Sequence, residues 1–149
     1  MMKRLIVTAL IAASMATPAA GRPHPAIEGG PCNTWMSRVL PSMGFEKVHR
    51  RTLAEIRCAV HWVHGVPGGY AMAVCIAERE SGPYTWPWAD SGSSQGVFQF
   101  IPSTWASARA TFRWLASVTN PSVFSMRSNV LFFARYAHSY GLAAWSGGC

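Results

Sequence analysis

The chain reads as a single, mainly helical domain, and three observations lead there. Apolar residues recur at helical spacing in several separate stretches, closed by glycine or proline. The main interruption, Pro83 to Gln95, is rich in Pro, Gly, Ser and Asp and has the composition of a loop. With 149 residues, 50% of them hydrophobic and 13% charged, the chain can bury one continuous core but not two. The same composition excludes a disordered tail and a coiled coil.

Lys3 and Arg4 precede an apolar run from Leu5 to Ala16 that is short for a bilayer span. That is the shape of a secretory signal peptide over residues 1–20, with a cut expected between Ala16 and Ala20. Residues 21–31 hold Pro23, Pro25 and a glycine pair and read as a flexible lead-in to a domain over 32–149. A short helix is expected from Thr34 to Leu40, stopped by Pro41, with a turn at Ser42, Met43 and Gly44. Thr52 and Glu55 have the spacing of a capping box, so a helix is predicted to start there. Its apolar stripe is Leu53, Ile56, Val60 and Val63, and Gly65 stops it. The next helix runs from Tyr70 to about Glu80 and ends at Ser81-Gly82-Pro83. Gly96 to Phe100 is brief and apolar and could form a small extended or hairpin segment. Pro102-Ser103-Thr104 opens a helix with Trp105, Ala108 and Phe112 on one face. The last helix follows Pro121 and Ser122, carries Val130, Phe133, Ala134 and Ala137 on one stripe, and ends at Gly141. After the leader, no segment has the character of a membrane span.

The formal charge of +7, two units of it in Lys3 and Arg4, favours an anionic partner. Wall polymers, membrane surfaces and nucleic acids all qualify. A nucleic-acid role would rest on Lys47, His49, Arg50 and Arg51 with no recognised motif, and a solvated basic face explains the same run, so no nucleic acid is expected. Cys58, His61 and His64 fall at three-residue steps on one helix, which raises the question of a metal. Such steps drift by about 60° of helix surface each, and no fourth ligand is specified. Neither metal nor cofactor is expected, and the domain is expected to be a monomer.

Two of the six acidic residues, Glu78 and Glu80, lie two positions apart on the second helix and cannot share a face. Glu80 falls within the arc of Met72, Ala73, Ile76 and Ala77, and Glu78 beside Ala71, Val74 and Cys75. The small residues beneath Glu80 leave room for a substrate. Desolvation on that stripe and the negative end of the helix dipole would both favour a neutral acid. Glycoside cleavage requires such an acid, because a proton must reach a poor leaving oxygen. The alternative is a structural ion pair with an arginine such as Arg79. Four cysteines, Cys32, Cys58, Cys75 and Cys149, suggest disulfides in an exported chain, and three sets of pairings are open. Cys32 with Cys58 and Cys75 with Cys149 is favoured, since the second bond would staple the chain end to the Glu80 helix.

The stretch Ala77-Glu78-Arg79-Glu80-Ser81-Gly82, followed by Gly96-Val97-Phe98-Gln99-Phe100-Ile101-Pro102-Ser103-Thr104-Trp105, resembles the signature of the lysozyme-like lytic transglycosylases. Tyr136, Gly141, Trp145 and the terminal Cys149 are similar to the ending of short exported members, including the group related to resuscitation-promoting factors. The resemblance covers roughly Tyr70 to Cys149 and implies a lysozyme-like helical domain with a substrate groove. It also implies a secreted, periplasmic or wall-associated enzyme acting on peptidoglycan glycan strands. Glu80 takes the family's acid position, protonating the oxygen between N-acetylmuramic acid and N-acetylglucosamine. It would then act as base toward the muramoyl 6-hydroxyl to leave a 1,6-anhydro end. Gln99 matches the glutamine that lines the sugar groove, and Ser81 the serine that orients substrate or caps the helix. Tyr136 falls where relatives place a tyrosine that supports the acid, although the Ala-His-Ser after it departs from the family pattern. Asp90 lies where goose-type lysozymes carry a water-positioning acid, so a muramidase using Glu80 with Asp90 is the alternative. A non-catalytic glycan-binding module is a further one. As a plain turn residue, Asp90 would simply precede Ser91 and Gly92. Trp86, Trp88, Phe98 and Trp145 are candidates for stacking on sugar faces, whereas Trp105 reads as core.

Overall fold

The computed structural model describes residues 43–119, 122–145 and 147–149. The expected signal peptide, the lead-in, the helix at Thr34–Leu40 and Cys32 lie outside the described residues. Among the described residues five α-helices follow one another: α1 (Phe45–Trp62), α2 (Gly69–Ser81), α3 (Pro102–Thr111), α4 (Arg113–Val118) and α5 (Met126–Tyr140), with a short 3-10 turn at Ala143–Trp145. The mainly helical class is as the periodicity predicts. Among the described residues no helix is long and apolar enough to cross a membrane.

The start of α1 differs from expectation. The helix begins at Phe45, seven residues before Thr52, and the capping box is not used. Thr52 instead donates its hydroxyl to Val48 O at 3.0 Å inside the helix. The reason is tertiary. Val48, Thr52, Glu55, Ile56 and Ala59 form one stripe, each fully buried, so two polar residues sit on the core-facing line and disguise its length. That stripe packs against α5 and α2. Gly65, at φ 106°, closes the helix by donating to Val60 O at 2.9 Å, as expected.

α5 is the central element, with residues Met126 to Ala134 all buried. It starts later than its Pro121-Ser122 signal, with Ser125 as the cap accepting from Ser128 N. Trp105 packs edge-on to Phe100 and Phe132, and Ala108 and Phe112 are buried, as the α3 stripe predicts. The Gly96–Phe100 segment forms no strand. Gln95 and Phe100 pair in an isolated antiparallel bridge, each N–H donating to the other's carbonyl at 3.0 Å, and the residues between them turn.

Candidate functional site

Glu80 is the last residue but one of α2, with Ala73, Ile76 and Ala77 buried beneath it. Its side chain is 26% exposed rather than sealed, and its Oε1 accepts from Arg79 Nη2 at 2.7 Å and Nε at 3.2 Å. This corrects the expected desolvated carboxyl: neighbouring residues on a helix end can reach each other across the rim, and here they do. Arg79 also donates through Nη2 to Trp145 O at 2.7 Å and through Nη1 to Gly147 O. The guanidinium thus has one edge on the chain end and the other on the acid. Cys149 is bonded to Cys75 on the same helix, with Cα atoms 6.0 Å apart, so the favoured pairing holds, and Trp145, Gly147 and Cys149 strap the chain end to α2. Cys58 is not a free thiol either, and its expected pairing with Cys32 lies outside the described residues.

Two clefts adjoin this strap. One, of about 290 Å³, is lined by Arg79, Glu80, Ala143, Ala144, Trp145 and Gly147. The other, of about 220 Å³, is lined by Gln99, Phe100, Ile101, Thr104, Ala144 and Trp145. Ala144 and Trp145 belong to both, so Glu80 and Gln99 stand on either side of a shared wall. Each cleft is small for a closed ligand pocket and suits a stretch of open groove. A larger cleft of about 780 Å³, with Arg50, Leu53, Arg57, Cys58, His61 and Tyr70 in its wall, shares no residue with either. Cys58 there has no free thiolate to offer a metal.

The remaining predicted residues fall into distinct roles. The amide of Gln99 is engaged with its own loop: Nε2 donates to Ala89 O and Gly96 O, both at 2.9 Å, and Oε1 accepts from Ser94 Oγ at 3.0 Å. Its backbone is at φ 45°, and the amide braces that turn. Ser81 donates to Ala77 O at 2.9 Å, a helix-end bond rather than a substrate contact. Asp90 accepts from Gly92 N at 2.8 Å and from Gln95 Nε2 at 3.2 Å, the pattern of a turn residue. Tyr136 packs edge-on to Trp145 at 5.6 Å, and it is Arg79 that meets the Glu80 carboxylate.

Two aromatic assignments are corrected. Phe98 is fully buried and stacked on Phe133 with centroids 3.6 Å apart, so its ring has no face for a sugar. Trp145 is 6% exposed, and its Nε1 donates to Phe98 O at 2.8 Å, which makes it the wall between the clefts and not a stacking platform. Trp86 and Trp88 remain half-buried and in contact, 5.1 Å apart.

Asn129 on α5 carries no sequence motif, yet it holds the Gln95–Gln99 turn. Its Oδ1 accepts from Phe98 N and its Nδ2 donates to Val123 O, each at 2.9 Å. Gly96, at φ 83°, packs so closely on this amide that a Cβ would stand 2.6 Å from Val123 O. Gly96→Ala is therefore expected to destabilise the fold by roughly 2 kcal/mol or more, read as a lower urea midpoint at unchanged slope. A midpoint equal to wild type would mean that the turn is not held this way.

No family model, curated protein or solved structure matches the chain.

Proposed function

We propose that this chain is an exported enzyme that cleaves the β-1,4 bond between N-acetylmuramic acid and N-acetylglucosamine in peptidoglycan, with Glu80 as general acid and then base. The observation that carries the reading is the placement of Glu80 and Gln99 in two clefts with a common wall of Ala144 and Trp145. The order of the Glu-Ser-Gly and Gly-Val-Phe-Gln blocks supports it independently. A glycan strand crossing that wall would bring a glycosidic oxygen to the Glu80 rim. Proton donation requires the Arg79 pair to open. Such a partly exposed pair is worth about 1 kcal/mol or less, so substrate contacts suffice to part it.

A lyase outcome is favoured over hydrolysis because Asp90, the candidate second carboxylate, has both oxygens occupied within its turn. The muramoyl 6-hydroxyl, held by the groove at high effective concentration, is then the attacking group. The test is digestion of purified peptidoglycan followed by mass spectrometry. Products ending in 1,6-anhydromuramoyl residues are one water lighter than reducing ends. Only reducing ends would sink the lyase reading and leave a muramidase. Asp90→Asn is expected to keep activity within about threefold of wild type, since amide and carboxylate can both close the turn. A loss as deep as that of Glu80→Gln would restore the two-carboxylate mechanism.

A further inference from the structure

The loop after Glu80 turns a polar residue inward and aromatic residues outward, the reverse of what burial alone favours. Thr85 is fully buried at φ 48°, a left-handed conformation that a β-branched residue rarely adopts. Backbone of this kind persists only where its surroundings over-determine it, and such sites concentrate where a fold presents something to a ligand. Thr85 N donates to Gly82 O at 2.8 Å, Thr85 O accepts from the Thr52 hydroxyl at 3.4 Å, and its own hydroxyl meets His49 Nδ1 at 3.2 Å. The residues on either side, Tyr84 and Trp86, are thereby held at the surface.

Together with Phe45 from the first turn of α1 they make a continuous strip. Tyr84 to Phe45, Phe45 to Trp86 and Trp86 to Trp88 are 5.6, 4.6 and 5.1 Å between ring centroids. Phe45 is 56% exposed and Tyr84 46%, more than a loop with an apolar core beside it requires. The strip is also anchored to the candidate site. Trp86 N donates to Ser81 O at 3.4 Å, and Ala89 O takes the Gln99 amide.

We propose that the strip of Tyr84, Phe45, Trp86 and Trp88 binds the same amino-sugar strand as the Glu80 cleft and extends its grip along that strand. This rests on the glycan-cleaving reading. The chemistry of the rim favours a sugar chain over a lipid surface. His49, whose ring meets Tyr84 edge-on at 6.2 Å, has its Nε2 3.9 Å from the Glu78 carboxylate, which is 43% exposed. A membrane would strip water from that carboxylate, at a cost, whereas hydroxyl and acetamido groups can hydrogen-bond to it while pyranose C–H faces lie on the rings.

Binding is measured with chitotetraose and chitohexaose in the Glu80→Gln background, where turnover is suppressed, comparing it with added Phe45→Ala and Tyr84→Ala. The ratio of hexaose to tetraose affinity is expected to fall about tenfold when both rings are removed. Phe45→Leu with Tyr84→Leu keeps apolar area and loses the ring faces, so it should fall similarly and serves where the alanine pair unfolds. An unchanged ratio overturns the proposal. So does loss of binding to phosphatidylglycerol vesicles with hexaose binding intact, which would make the strip a membrane contact. If wild type releases no muropeptides but hexaose still binds through the strip, the enzyme reading falls and the strip stands. If wild type cleaves peptidoglycan and the ring variants bind like their parent, the strip alone falls.

Discussion

Replacing Glu80 with Gln should lower muropeptide release by at least ~10²-fold while leaving glycan binding largely intact. The amide keeps the size of the side chain and lacks only the transferable proton. Its carbonyl oxygen can still accept from Arg79, which otherwise meets the carboxylate at 2.7 Å, so the strap at Trp145 and Gly147 should stay in place. Circular dichroism and the unfolding midpoint should match wild type. Full activity in Glu80→Gln would remove Glu80 from the mechanism. Equal loss of activity and of folding would leave only a structural role.

The second large effect concerns stability and lies away from the clefts. Glu55 is fully buried on the face of α1 that packs on α5, and neither carboxylate oxygen has a hydrogen-bond partner. Burial pushes its carboxyl up from 4.5 to about 7, against the pull of the Arg127 guanidinium. The folded protein therefore holds this proton more tightly than the unfolded chain. Stability from this group is fully present below pH 4.5 and is lost as pH rises through about 7. The loss amounts to about 3 kcal/mol across that window. Urea unfolding of wild type and Glu55→Gln from pH 4 to 8 reads it directly, because Gln cannot titrate. The variant should gain on wild type as pH rises, whatever constant offset the buried amide adds. Parallel stability curves would show that Glu55 does not titrate in the fold.

These two glutamates show how unevenly a sequence displays its chemistry. Glu80 stands out because the residues around it are local: a helix, a small-residue stripe and a Gly-Pro stop. Glu55 looks like the second half of a helix cap, since Thr52 precedes it at the right spacing. Its burial is visible only once Val48 and Ile56 are seen on the same stripe facing α5. Phe98 and Trp145 belong to the core for a related reason. An aromatic residue near a candidate acid is equally compatible with a sugar platform and with the core, and packing on Phe133 decides for the core in both cases.

By itself the sequence determined the helical class, the span of α2, the glycine stop near Gly65 and the glycine that ends α5 at Gly141, and it favoured the Cys75–Cys149 pair. Helix periods and stops are set by neighbours within a turn or two, so they can be read along the chain. Tertiary structure alone decided what holds the Gln95–Gln99 turn, which partner Glu80 meets and where the aromatic rings point. Asn129 reaches Phe98 across 31 residues, and Arg79 reaches Trp145 across 66. Contacts at such separations depend on how whole helices pack, and no local spacing encodes them.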